Sequence, residues 1–102
     1  MILVYVTCKD LEEAKKISKV LLEKRLAACT NFFPVSSMYW WDKSVKLDSE
    51  FALVLKTVKE KFREIEKEIK KVHSYELPCI VSLNVDEASK DFLEYIKKEI
   101  KD

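Results

Sequence analysis

Read from its start, the chain opens on a continuous apolar run, Ile2 to Thr7 (ILVYVT), rich in β-branched and aromatic residues. Such a run predicts a short strand buried on both faces, a central strand. Asp10 with Glu13 three residues on forms a capping-box start, and Ala14, Ile17 and Leu21 then recur at helical spacing with Val20 widening the stripe. This predicts a helix to about Arg25. From Ala28 to Trp41 (ACTNFFPVSSMYWW) the pattern turns extended, and after DKS a second extended run covers Val45 to Thr57. The pair reads as a hairpin. Each arm, at the strand rise, reaches about 40 Å, against a radius of gyration near 13 Å for a domain of this size, so the hairpin must overhang its own domain.

Thr57 with Glu60 reads as a second capping box, followed by Phe62, Ile65, Ile69 and Val72 on one face, to an end near His73. Pro78 opens a further strand, CIVSLNV, to Val85. Asp86 or Ser89 then caps a last helix carrying Phe92, Leu93, Ile96 and Ile100. The order is strand, helix, strand, strand, helix, strand, helix, in a single domain over residues 1–102. Its first six elements match the α+β, ferredoxin-like βαββαβ pattern, with an antiparallel sheet ordered 4-1-3-2 and helices on one face.

Composition narrows the function classes. Apolar residues make up 48% and charged ones 36%, enough for a core and a solvated surface. Lys plus Arg (19) nearly cancels Asp plus Glu (18), leaving no net field for nucleic acid or an acidic membrane surface. The opening apolar run is cut by Thr7 to Asp10 before a membrane span or signal segment forms, so a cytoplasmic location is expected. Cys8, Cys29 and Cys79 cannot all pair within one chain and show no C-x-x-C spacing, which fits reduced thiols. The chain has no glycine, and with it no Gly-rich phosphate loop, nucleophile elbow or dinucleotide fingerprint. Gln is absent, Asn stands only at Asn31 and Asn84, and Lys and Glu abound, a bias of thermostable proteins.

Candidate chemistry concentrates in Lys71 to Ile80, KVHSYELPCI, which holds the only histidine. In the expected topology the end of the first strand (Thr7, Cys8) lies beside the start of the fourth (Pro78, Cys79), fed by the His73 turn. Imidazole and thiolate there suit copper or zinc. Read structurally, the same residues are a helix C-terminal histidine bonded to carbonyls and two small core cysteines. A Cys/His nucleophilic dyad is weaker, because no oxyanion donor loop accompanies it. Cys29 falls at the opposite end of the sheet. Tyr39, Trp40 and Trp41 load the overhanging arm with exposed aromatics, which association of identical subunits would cover.

Taken together, EKRLAACTN (Glu23 to Asn31), SMYWW (Ser37 to Trp41), LKT (Leu55 to Thr57) and HSYELP (His73 to Pro78) resemble the CutA divalent-cation tolerance family across essentially the whole chain. The resemblance implies a ferredoxin-like subunit in a tight homotrimer, its hairpins extending sheets between subunits. It implies a small cytoplasmic protein without catalytic activity, linked to tolerance of copper or another divalent metal ion. His73, Tyr75 and Pro78 match the H-x-Y-x-x-P stretch of the family; Cys79 stands where relatives often carry Glu, exchanging a hard ligand for a soft one. The expected metal ligands are His73, Cys79 and Cys8, with Glu76 and Cys29 auxiliary, and the expected interface residues are Tyr39, Trp40, Trp41 and Tyr75. The hairpin tip, WDKSVK, lacks the glycine usual in relatives.

The alternative from a different class is a PII-like regulatory trimer that binds a small metabolite between subunits, lined by Tyr75, Trp40 and Trp41. RNA binding on the same element order is disfavoured, since SEFALVLKT lacks the basic-Gly-aromatic start that such sheets use. Acyl-phosphate hydrolysis lacks a phosphate cradle.

Overall fold

The computed structural model describes residues 1–100. Strand β1 (Ile2–Cys8) is followed by helix α1 (Leu11–Glu23), strands β2 (Cys29–Trp41) and β3 (Ser44–Thr57), helix α2 (Phe62–Val72), strand β4 (Ile80–Asn84) and helix α3 (Lys90–Glu99). One antiparallel sheet takes the order β2-β3-β1-β4, as the sequence pattern predicts. Residues 101 and 102, within the expected domain, lie outside the described residues.

Alternation along β1 decides which face is covered. Ile2, Val4, Val6 and Cys8 are buried against α1 and α2, where Ala14, Ile17, Leu21, Ile65 and Ile69 complete the core with Leu53 and Leu55 of β3. Leu3, Tyr5 and Thr7 point to the opposite face and are only half-buried.

Helix α1 starts as expected, with the Glu13 N–H donating to Asp10 Oδ1 at 2.9 Å. The carboxylate of Glu13, however, reaches past the cap to the Lys9 N–H at 2.9 Å. The helix ends without glycine in a Schellman motif: Arg25 takes φ 59, its N–H donates to the Leu22 carbonyl, and the Leu26 N–H donates to the Leu21 carbonyl, both at 3.0 Å. Buried Leu26 and Leu21 supply the accompanying apolar contact.

The second capping box does not form. Thr57 Oγ1 donates instead to the Leu26 carbonyl at 2.6 Å, a buried bond that ties the end of β3 to the α1–β2 connection. Val58 precedes a single 3₁₀ turn, Lys59–Lys61, before α2 begins. The fourth strand is shorter than expected: Pro78 and Cys79 precede it, and Val85 follows it with an N–H bond to the Met1 carbonyl. Ser89 caps α3, accepting from the Phe92 N–H at 3.4 Å.

The hairpin does overhang. β1 pairs with β3 only from Phe51 to Thr57, whereas β2 and β3 continue pairing out to Trp41 opposite Ser44. The unsupported arm from Val35 and Glu50 outward spans roughly 20 Å at the strand rise. It gives the subunit its longest dimension, 45 Å. Asp42 and Lys43 close the tip with φ of 49° and 65°, the pattern of a two-residue I′ turn made without glycine. On the helix side of the arm, Met38, Trp40, Val45 and Leu47 stand exposed, Trp40 at 74%. Tyr39 and Trp41 alternate onto the other face, with Glu50 and Asp48.

Candidate functional site

The segment after α2 closes one end of the sheet. The chain leaves helical geometry at His73, φ −78 and ψ 138, and the imidazole folds back onto β1. Its Nε2 lies 2.8 Å from the Thr7 carbonyl oxygen, and its Nδ1 accepts the Tyr75 N–H at 3.0 Å. A nitrogen that accepts an N–H carries no proton, so this pattern assigns the neutral Nε2–H tautomer.

Glu13 is the hub beside it. One carboxylate oxygen accepts the Lys9 N–H and the other accepts the Ser74 N–H at 2.8 Å, joining the start of α1 to the turn after α2. Burial works to raise its pKa, but the Lys9 and Ser74 hydrogen bonds and nearby His73 outweigh it and hold the carboxyl below its ordinary value. Beneath lies Cys8, fully buried. Burial first, and then the charges of Glu13, Glu50 and Asp10, push its thiol up to about 12.

Ligand atoms of Cys8, Glu13 and His73 all lie within 4.8 Å of one another. These residue types suit a divalent or cuprous ion, yet the donor atoms are spoken for: the thiol keeps its proton, both ring nitrogens are hydrogen-bonded and both carboxylate oxygens accept N–H groups. The cluster is a closed hydrogen-bond network and not an open coordination site. A metal ion is accommodated only where some of these bonds are exchanged.

Alternation separates the two cysteines that the sequence brings to one end of the sheet. Val6 pairs with Ile80, so the register sets Cys79 next to Thr7, on the face opposite Cys8. Cys79 is exposed there. Burial, and then Glu50, push its thiol above the ordinary range. Cys29 lies at the other end of the sheet, half-buried opposite Lys56, whose Nζ is 3.8 Å from its Sγ. It makes no part of the His73 cluster.

On the Cys79 side a cleft of about 610 Å³ opens between the hairpin arm and the 74–79 segment. Tyr39, Trp41 and Tyr75 form aromatic walls, and Trp40, from the other face of the arm, and Glu76 also line it. Glu50 lies at the base, 8% exposed, and accepts the Tyr75 hydroxyl at 2.5 Å. Burial, and then this bond and the Glu50 charge, raise the Tyr75 pKa. Tyr39 donates its hydroxyl to Asp48. Glu13 and Glu50 are the two site residues that sequence reasoning missed. Glu13 was absorbed by its capping role, and the period-two alternation of SEF, placing Glu50 inward on the open face, was the available signal for the other.

This architecture defines a class: a ferredoxin-like fold with a protruding aromatic hairpin and a cleft at its root. Residues 2–99 match the family described as CutA1 divalent ion tolerance protein. The chain is 44% identical over 97 residues to the divalent-cation tolerance protein CutA of Archaeoglobus fulgidus, covering 95% of each. It is 38% identical over 101 residues to the protein of the same name from Pyrococcus horikoshii, covering 99% of each. It superimposes with a TM-score of 0.97, at 43% identity, on the structure of the periplasmic divalent cation tolerance protein CutA from Archaeoglobus fulgidus, covering 99% of this chain and all of the other. The chain belongs to the CutA1 divalent ion tolerance family.

Proposed function

We propose that this protein is a non-catalytic homotrimer that binds copper or another divalent metal ion. The observation that carries the reading is the meeting of the His73 imidazole, the Cys8 thiol and the Glu13 carboxylate within 4.8 Å, in a chain whose relatives are named for divalent-cation tolerance. His73 is the central ligand. It exchanges the Tyr75 N–H or Thr7 carbonyl bond for the ion, a sacrifice of about 1 kcal/mol for each neutral hydrogen bond. Cys79 and Glu76, on the opposite face and nearer solvent, join only if the 74–79 segment moves, and Cys29, at the other end of the sheet, is left out of the set.

Assembly is supported by the arm. An unpaired hairpin with Trp40, Met38, Leu47 and Val45 bare on one face is a hazard in a monomer, and addition to a neighbour's sheet relieves it. Tyr39, Trp41 and Tyr75, on the cleft side, lie at the boundary such an exchange creates. Three free thiols fit a reducing, cytoplasmic compartment, and the Lys- and Glu-rich, Gln-free composition fits a thermostable chain.

Native mass spectrometry of the reduced protein, with and without one equivalent of copper per chain, tests both halves. A trimer gaining up to three ions, with the gain lost in His73→Ala, is the expected result. A trimer that gains none refutes the metal reading, and a monomer refutes the assembly. The 610 Å³ cleft favours a second reading, a small metabolite held between subunits in the manner of PII proteins.

A further inference from the structure

The chemistry of the cleft walls says which kind of small molecule belongs there. Three aromatic rings of the open face, Tyr39, Trp41 and Tyr75, line the opening, and the only charged side chains lining it among the described residues are carboxylates, Glu50 and Glu76. Among the described residues no Lys, Arg or His lines it. Such a cleft repels phosphates and carboxylates. It also suits a neutral apolar guest poorly, because a carboxylate held at 8% exposure is left without a counter-charge.

Glu50 is half-satisfied. One of its oxygens accepts the Tyr75 hydroxyl, and no other described residue donates a hydrogen bond to the carboxylate; Glu50 lines this cleft and also a smaller cavity beside Lys9 and Ser49. Neither Lys nor Arg comes within salt-bridge distance of it among the described residues. A carboxylate so placed takes a cation, and aromatic faces around it take a cation whose charge is spread over an alkyl surface. The volume, about 610 Å³, falls in the range of small-molecule sites and is far more than a bare metal ion fills.

We propose that this cleft binds a small organic ammonium ion, with Glu50 as its counter-ion and the Trp41, Tyr39 and Tyr75 rings as its cage. This rests on the second reading above, a small metabolite at the root of the hairpin, and names the class of ligand. It does not require a metal at His73. The competing occupant is a side chain from a second copy of this protein. A neighbour that seals the cleft with apolar surface would leave Glu50 without a counter-charge; one that brings a Lys or Arg to it would fill the cleft, and binding of neither compound below is that outcome.

The test uses choline and its uncharged isostere, 3,3-dimethyl-1-butanol, titrated into the full-length protein in its native assembly with a chelator present. Trp40 and Trp41 are the only tryptophans of the chain, and Trp41 is on the cleft face, so the emission responds to an occupant of the cage. Choline is expected to change that emission saturably and to bind about tenfold or more tightly than the isostere. Glu50→Gln is expected to abolish the difference between them. Equal binding of both compounds to the wild-type protein overturns the cation assignment and leaves the small-molecule reading standing. Binding of neither, while acetylcholine and tetramethylammonium also fail, overturns both. Because the isostere comparison is made on the wild-type chain, misfolding of Glu50→Gln does not rescue the proposal.

Discussion

Replacing Glu13 by Gln isolates the role of the carboxylate that ties α1 to the turn after α2. In the native chain its two oxygens accept the Lys9 and Ser74 N–H groups at 2.9 and 2.8 Å, at 6% exposure. A hydrogen bond to a charged group contributes about 1.5–3 kcal/mol and a neutral one about 0.5–1.5. Glutamine keeps one carbonyl acceptor and turns its NH₂ toward the other N–H, donor against donor. One charge-assisted bond is lost with its buried partner unmet, and the second is weakened. The expected loss is about 2–4 kcal/mol at neutral pH. Guanidinium denaturation at matched protomer concentration measures it, and hydrogen exchange at the Ser74 amide locates it. A loss below about 1 kcal/mol, or unchanged Ser74 protection, refutes the tether.

The same residue sets a pH dependence. Its folded-state pKa lies below the unfolded value, so the folded chain takes up this proton less readily than the unfolded one. Its contribution is therefore complete above the unfolded pKa, about 4.3, and is lost as pH falls through the folded value. The wild-type protein should lose stability below about pH 4 more steeply than Glu13→Gln, whose amide does not titrate.

Three further outcomes are expected. Thr57→Val leaves the Leu26 carbonyl without its buried donor and should lower stability by about 1–2 kcal/mol, while Thr57→Ser, which restores the hydroxyl, should recover most of it in the same denaturation experiment. Lys43→Gly removes a side chain from φ 65 at the hairpin tip and should raise stability by about 0.5–1 kcal/mol, so a fall in melting temperature would contradict the turn assignment. Iodoacetamide at pH 8, followed by peptide mapping, should modify exposed Cys79 well before Cys8, whose thiol is pushed up to about 12 and reacts only on unfolding.

How much was legible follows from how far each signal travels along the chain. Element order, the sheet order and the overhanging hairpin come from periods of two and 3.6 residues, which are local, and from arm length. The false capping box at Thr57 fails because a threonine three residues before a glutamate looks the same whether or not a carbonyl 31 residues earlier claims its hydroxyl. Glu13 behaves likewise: its second partner, Ser74, is 61 residues away and invisible to any local pattern. Cys8 and Cys79 reach the same end of the sheet, as topology required, but a single-residue step in register puts them on opposite faces. The tip turn formed without glycine because Asp42 and Lys43 both accept left-handed geometry when thirteen cross-strand pairs hold the arms together.

Tyr75 joins the two candidate sites. Its N–H holds His73 Nδ1, and its hydroxyl holds Glu50 in the cleft. A metal ion that takes Nδ1 removes the first bond and with it one restraint on the aromatic ring that walls the cleft, which lies tilted at 53° to the imidazole with ring centroids 4.8 Å apart. If both proposed ligands bind, metal and ammonium ion are expected to compete through this one residue without touching, and linkage makes the effect reciprocal. Choline affinity, measured by calorimetry, should fall by about fivefold or more when copper saturates the protein, and copper affinity should fall by the same factor when choline does. If both ligands bind and neither affinity moves, His73 does not offer Nδ1 to the metal. The Tyr75 N–H bond then stays intact, leaving Nε2, now against the Thr7 carbonyl, as the only ring nitrogen open to the ion.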